Sequence, residues 1–267
     1  SISAQIKQLE TAVGTPLFLR KGRGLELTEA GRLAFEYADE IFSRGQELLA
    51  ALDGGPGRAR DVLRVGVSDA LPKTVAWRLL EPALTLPQAP RLVCQEGHPD
   101  ELVVDLARHR LDLVLSDGPS PRDVDVRVFN HRLGQSGTTF FAVADLARKL
   151  RPGFPGSLAK ASLLLPGARS ALRRSLEHWF DDHGLRPTIV GEFDDGALLK
   201  VAGRQGLGVF AAPTVSEKDV KTHYSVHVVG RAPDCVERFY AITGERRIQH
   251  PAAVAITENA RESFLDA

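Results

Sequence analysis

The sequence predicts an α/β protein in two parts: a helix, a basic hairpin and a long linker helix, followed by two α/β lobes. Three observations carry this. Apolar residues recur at helical spacing near the start and again over residues 28–52. The cluster Asp53-Gly54-Gly55-Pro56-Gly57 then stops any helix and marks a hinge-like boundary. Beyond it, short apolar runs alternate with helical stretches as far as residue 264, the pattern of βαβ units.

With 267 residues, 43% of them hydrophobic, the chain can fill more than one core, so two or three domains are expected. No run approaches the roughly 20 apolar residues of a membrane span. No secretory signal is recognisable, so a cytoplasmic protein without a membrane partner is expected. The chain opens on Ser1 and contains no Met, which leads to the expectation that its gene product begins further upstream. Cys94 and Cys235 stand far apart in strand-like runs, so neither a disulfide framework nor a metal site is indicated, and both thiols are expected to be buried.

In the first helix, Ile2, Ile6 and Leu9 fall at i, i+4 and i+7 on one face. Ser1, Ser3, Gln5, Lys7 and Gln8 fall elsewhere, and hydroxyls, amides and an ammonium suit the base edges of a major groove. Gly14-Thr15-Pro16-Leu17-Phe18 is an apolar anchor, and Arg20, Lys21 and Arg23 form a basic tip bounded by Gly22 and Gly24, the makings of a wing. In this segment Lys7, Arg20, Lys21 and Arg23 oppose Glu10 alone, although the whole chain is neutral, so charge able to neutralise phosphates is concentrated at this end. A solvated helix and turn is the alternative.

Thr28 followed by Glu29 opens the long helix, with an N-cap hydroxyl and an acid against the helix dipole. Ala30, Ala34, Tyr37, Ile41, Leu48 and Leu52 recur at spacings of three, four or seven, as in a helix that pairs with another helix. A single amphipathic helix lying on its own domain is the alternative.

In the first lobe the pattern gives a strand at 62–67, a helix at 72–86 with Pro82 as a kink or early end, a strand at 91–95, a helix at 99–110 and a strand at 111–116. Right-handed crossovers and a mostly parallel sheet follow from that order. The second lobe reads as strands at 138–143 and 162–165, a helix at 169–183, a strand at 188–193, a helix at 195–205 and a strand at 207–211. Strands at 226–229 and 239–243 and a closing helix at 251–264 can complete the first lobe, in which case the chain crosses twice between lobes and makes a two-strand hinge. The expected division is 1–27, 28–57 and 58–267, with lobe I formed by 58–134 and 232–267 and lobe II by 135–231.

Ser3-Ala4-Gln5-Ile6-Lys7-Gln8-Leu9-Glu10, Gly14-Thr15-Pro16-Leu17-Phe18 and Leu27-Thr28-Glu29-Ala30-Gly31, in this order, resemble the LysR-type transcriptional regulators, and the resemblance extends over the whole chain. It implies a truncated N-terminal winged helix-turn-helix, a long dimerisation helix, and a two-lobed effector domain like that of type 2 periplasmic binding proteins. The residues that match the groove-reading helix are Ser1, Ser3, Gln5 and Lys7, and Arg20, Lys21 and Arg23 match the phosphate-contacting wing. Implied partners are double-stranded promoter DNA for the full-length parent, further copies of the chain in a homodimer or homotetramer, and a small-molecule or cation effector. Arg20-Lys21-Gly22-Arg23-Gly24-Leu25, Arg151-Pro152-Gly153-Phe154-Pro155, Gly191-Glu192-Phe193-Asp194-Asp195 and Ile248-Gln249-His250-Pro251 narrow the likeness to family members that activate sodium/proton antiporter genes.

In open α/β lobes, ligands sit at the carboxyl ends of strands and at helix N-termini. That rule selects Ser68, Asp69, Ala70, Leu71, Glu96, His98, Ser116, Asp117, Pro166, Gly167, Phe193, Asp194 and Asp195. Ser68 suits a carboxylate ligand, whereas Asp69, Glu96, Asp117, Asp194 and Asp195 repel anions and can offer oxygen to a hard cation such as Na⁺. Each acid also has a structural alternative: Asp69 and Asp194 as helix caps, Asp117 in an Asp-Gly-Pro turn, Glu96 in solvent. His98 can titrate beside Glu96, and His250 serves the turn into the last helix. No cofactor and no catalytic residue is expected. A solute-binding protein has the same two lobes but no use for the first helix and linker, and no Gly-x-Ser-x-Gly, P-loop or His-Glu-x-x-His motif supports an enzyme.

Overall fold

The computed structural model describes residues 2–21, 24–53, 62–246, 248 and 250–263, with backbone alone at some positions of the linker and closing helices. It forms two compact units, Ser1–Ala59 and Arg60–Ala267.

The first unit consists of α1 (Ile2–Val13), β1 (Phe18–Lys21), β2 (Gly24–Leu27) and α2 (Glu29–Asp53). Gly14 takes the left-handed conformation that closes α1, and β1 and β2 pair antiparallel with Phe18 opposite Leu27. One carboxylate and one hydroxyl fasten these pieces together. Glu10 Oε1 accepts from the N–H groups of Leu17 at 2.7 Å and Phe18 at 3.1 Å, holding the anchor against α1. Thr28 Oγ1 accepts from Gly31 N–H and donates to the Pro16 carbonyl, both at 2.8 Å. A Cβ on Gly31 would lie 1.9 Å from the Leu17 carbonyl oxygen, so only glycine lets α2 approach the anchor this closely.

The expected packing face of α1 is not covered within this unit: Ile2 is 76% and Leu9 50% exposed, and among the described residues here only Leu17 is a buried hydrophobic. On α2, Tyr37 and Ile41 are exposed together with Leu33, Phe35, Phe42 and Leu49, an uncovered apolar surface along the helix. The expected side-chain positions of Leu48 and Leu52, and the boundary Gly54-Gly55-Pro56-Gly57, lie outside what is described.

The second unit runs β3 (Val62–Ser68), α3 (Lys73–Leu84), β4 (Arg91–Gly97), α4 (Pro99–Ala107), β5 (Leu113–Ser116), β6 (Phe129–Ala142), α5 (Ala144–Leu150), β7 (Ser162–Pro166), α6 (Ala171–Asp182), β8 (Thr188–Phe193), α7 (Gly196–Arg204), β9 (Phe210–Pro213), α8 (Glu217–Tyr224), β10 (His227–Thr243) and α9 (Pro251–Ser263). Among the described residues, one sheet runs in the order β4-β3-β5-β10-β6-β9, and β7 and β8 join it through a parallel bridge between Leu163 and Val209. The expectation of a mostly parallel sheet holds for β4, β3 and β5 and for β7 with β8, whereas β10 pairs antiparallel with β5 and β6, and β6 with β9.

The strands expected at 226–229 and 239–243 are the two ends of the single strand β10, and β6 begins nine residues before the expected start at 138. Both strands span from one lobe to the other, with irregular register between Ala232 and Glu237. Apolar side chains of β3, β5, α3 and α9 form one core, with Leu79, Leu115 and Ile256 fully buried, and α4 covers the other face of that sheet. In the second lobe α5 and α6 pack on one side of the sheet around Phe140, Leu176 and Trp179, and α7 and α8 on the other around Phe141 and Phe210. Helix α3 continues to Leu84 with Pro82 inside it, and β9 begins at Phe210 rather than 207. Cys235 is buried as expected, but Cys94 is exposed on β4, an edge strand of the sheet. Phe264, the expected last apolar residue, lies outside the described chain.

Candidate functional site

In the first unit, Ser3, Gln5 and Lys7 are exposed on α1, and Arg20 and Lys21 are exposed on β1. Lys21 Nζ is 3.1 Å from Glu26 on the facing strand, an exposed pair that water and salt weaken. Ser1 and Arg23 lie outside the described residues.

In the second unit, the loops at the carboxyl ends of β3, β4, β5, β7 and β8 surround a cleft of about 500 Å³. Asp69, Ala70, His98, Ser116, Asp117, Gly167 and Asp194 line it, joined by residues the sequence did not single out: Asp100, Asp123, Arg122, Arg169, Ser170 and Arg174. These last flank loops or the first turns of α4 and α6, where polar surface residues carry no distinguishing pattern.

The remaining expected residues stand behind or beside the wall. Leu71 is 1% exposed in the lobe I core, and Phe193 packs on the α7 side of lobe II. Glu96 pairs with Lys73 at the start of α3, 2.5 Å away, and is not among the residues that line the cleft. Pro166 contributes its carbonyl to Arg173 Nη1 at 3.1 Å. Asp195 is the N-cap of α7, accepting from Ala197 N–H at 2.6 Å and Leu198 N–H at 2.8 Å. Those backbone bonds, the Leu198 N–H first, hold its carboxyl below the usual range. The cap expected of Asp194 therefore belongs to Asp195, while Asp194 faces the cleft and lies over Gly167, where a Cβ would meet its carboxylate oxygen at 1.9 Å. Asp69 accepts from Ala70 N–H at 2.8 Å, and its other oxygen is 3.7 Å from His98 Nε2, so His98 faces Asp69 rather than Glu96. His250 Nδ1 accepts from Ala252 N–H at 3.2 Å at the start of α9.

Asp117 occupies the most connected position. It is 6% exposed, receives the Ser68 hydroxyl at 3.1 Å on one oxygen and the Ala171 N–H at 3.0 Å on the other. Ser170 occupies the N-cap position of α6 without a side-chain cap bond, so a carboxylate from the end of β5 in lobe I caps a helix of lobe II. The turn expected at Asp117-Gly118-Pro119 is thus also a tie between lobes.

Glu237 on β10 is 3% exposed, with Oε1 lacking any hydrogen-bond partner. Burial, and then the nearby Asp117 charge, push its carboxyl up to about 8, while the charge of Lys200 on α7 acts in the opposite sense. Sequence alternation could have found it, since Cys235, Glu237 and Phe239 share one face of the strand and all are buried. Another cavity, of about 580 Å³, lies against β10 and α8 beside Arg151, Lys221 and Arg231 and involves none of the strand-end loops. Among the described residues no cluster of three or more His, Cys, Asp or Glu is placed to hold a metal ion, and no helix is long and apolar enough to cross a membrane.

A helix-and-wing unit joined to a two-lobed unit with a strand-end cleft is the build of a ligand-responsive DNA-binding regulator. Residues 1–32 match the family described as bacterial regulatory helix-turn-helix protein, lysR family, and residues 56–265 match the LysR substrate binding domain. The chain belongs to the LysR family of DNA-binding transcriptional regulators. It is 37% identical over 256 residues to the transcriptional activator protein NhaR of Escherichia coli (strain K12), covering 96% of this chain and 84% of that one. Identity to the HTH-type transcriptional regulator CbbR of Rhodospirillum rubrum is 27%, over 78% of this chain and 68% of the relative. Among solved structures, full-length CbnR complexed with its target DNA shares the fold with a TM-score of 0.68 at 20% identity, covering 98% of this chain and 89% of that one.

Proposed function

We propose that this regulator activates a sodium/proton antiporter gene in response to Na⁺ or pH, and that the strand-end cleft is its sensing site. One observation carries the reading: Asp69 from lobe I and Asp194 from lobe II face the same cleft, along with Asp100, Asp117 and Asp123. Like charges on opposing walls repel, and a cation between them screens that repulsion and supplies differential affinity for the closer arrangement of the lobes. Among the described residues no three acids form a cage, so the cation keeps water ligands and is held by one or two carboxylate oxygens and by the field of the cleft.

The identity to NhaR supports this narrower assignment. In the first unit, Ser3, Gln5 and Lys7 on α1 read the major groove, with Ser1 on the same helix in the sequence pattern. Arg20, Lys21 and Arg23 neutralise phosphates. The exposed apolar surface of α2 pairs with its counterpart in a second copy, giving a homodimer or, by further pairing, a homotetramer. Such a protein acts in the cytoplasm, without catalysis.

Arg122, Arg169 and Arg174 on the same cleft favour a second reading, a small organic carboxylate as effector. The two are separated by binding the full-length protein to its upstream intergenic DNA in Na⁺ and in K⁺ at equal ionic strength. Under the cation reading the affinities differ, and Asp69→Asn or Asp194→Asn removes the difference. Equal affinities, with a response to an added carboxylate metabolite, would establish the second.

A further inference from the structure

Glu237 is not explained by the role of the cleft as a ligand pocket, because it is not among the residues that line the cleft and its Oε1 meets no partner. Its place in the fold is specific. It follows the irregular stretch of β10 between Ala232 and Glu237, where the two long strands pass from one lobe to the other. Opposite it on β6 stands Ser136, whose hydroxyl donates to the Gly137 carbonyl and accepts from Val215 N–H, so this strand brings no charge to the carboxyl. From α6, Ser175 donates to the Val236 carbonyl, again without charge. The charged groups that act on Glu237 are Asp117 from the end of β5 and Lys200 from α7, and on its own strand Cys235 is a buried thiol that burial pushes up to about 11.

Lys200 does not neutralise Glu237 at close range. Its Nζ donates to the Gly196 carbonyl at 3.0 Å, and burial lowers its own affinity for the proton. A negative charge on Glu237 would therefore face chiefly the negative charge of Asp117, the residue that ties lobe I to α6.

We propose that Glu237 is a proton-binding site at the lobe hinge: with a proton it leaves Asp117 seated on α6, and without one it repels Asp117 and releases the tie between the lobes. The step is a plain proton exchange with water, and no bond other than O–H is made or broken. The site deepens the reading of the cleft as the sensing site, since it gives that site a pH response through a residue no ligand has to touch. The direction follows from linkage. The closed form holds the proton up to about pH 8 and an opened, hydrated Glu237 would release it near the ordinary 4.5, so opening is favoured progressively between those values and no further above them.

The test is hydrogen exchange of the first turn of α6 in the whole chain, without DNA or effector, across pH 5.5 to 9.5 and corrected for intrinsic exchange. Wild type is expected to lose protection by up to about tenfold per pH unit until about pH 8 and then level off. Glu237→Gln is expected to remove the slope, and Lys200→Gln to move the levelling point to higher pH. A wild type without the slope, a slope that survives in Glu237→Gln, or a levelling point that does not rise in Lys200→Gln would each overturn the proposal. Its failure leaves the cation reading of the cleft standing, and equal DNA affinity in Na⁺ and K⁺ leaves this proposal standing.

Discussion

Replacing Asp117 by Ala is expected to destabilise the second unit far more than replacing Ser170, although Ser170 occupies the N-cap position of α6. The usual cap rule predicts about 1 kcal/mol for a Ser→Ala change there. In this structure the Ser170 side chain makes no cap bond, and Asp117 supplies the acceptor at 3.0 Å from Ala171 N–H. Removing a buried carboxylate that receives both that N–H and the Ser68 hydroxyl forfeits charge-assisted bonds of roughly 1.5–3 kcal/mol each. Water entering the space left by the side chain offsets part of this, leaving a net loss of about 2 kcal/mol. For a unit the length of Arg60–Ala267, each kcal/mol lowers Tm by roughly 2–4 °C, so Asp117→Ala is expected to melt about 4–8 °C lower and Ser170→Ala less than about 2 °C lower. Thermal scans of wild type and both variants at pH 7 read this directly. Equal losses in the two variants would refute capping from the other lobe.

Asp195→Ala removes the two cap bonds of α7 and is expected to lower stability by about 1 kcal/mol at neutral pH. Because the folded carboxyl titrates below its ordinary value, this contribution is present above that value and lost as pH falls through the folded one, so wild type and variant converge in acid denaturation. Gly31→Ala places a methyl against the Leu17 carbonyl, and a backbone atom cannot rotate aside. It is expected to destabilise the joint by about 1–3 kcal/mol, seen as faster exchange in β1 and β2, and to weaken DNA binding at every salt concentration without changing its steepness. A steepness reduced as if one phosphate contact were lost would instead assign Gly31 to the DNA interface.

The fold was legible where one physical signal dominated. Short apolar runs placed β3 and β8, and the sequence order around Leu17, Thr28 and Gly31 carried the joint that the backbone contacts explain. The hinge was harder. His131-Arg132-Leu133-Gly134-Gln135-Ser136 in β6 and Arg231-Ala232-Pro233-Asp234 in β10 look like loops, because their polar groups are satisfied by the facing strand and by one another. Helices α5 and α8 are short, and propensity alone does not separate them from the adjoining turns.

For the cleft, the strand-end rule located Asp69, Ala70, His98, Ser116, Asp117, Gly167 and Asp194 on one wall system. It could not tell which of two adjacent acids caps a helix, since Asp194 and Asp195 differ only in which one the backbone turns toward the first N–H groups of α7. Nor does one-dimensional order show that Asp117 reaches across 54 residues to Ala171, or that Glu237 shares its field.

The central claim is a cation-responsive cleft, and DNA affinity in Na⁺ against K⁺ tests it most directly. Fluorescence anisotropy of the full-length protein on its upstream intergenic DNA, with total salt held constant, removes the general effect of ionic strength. A coupling of about 1–3 kcal/mol predicts a roughly 5- to 150-fold difference between the two cations. Superimposable titrations in Na⁺ and K⁺ over pH 7 to 9 would contradict the account.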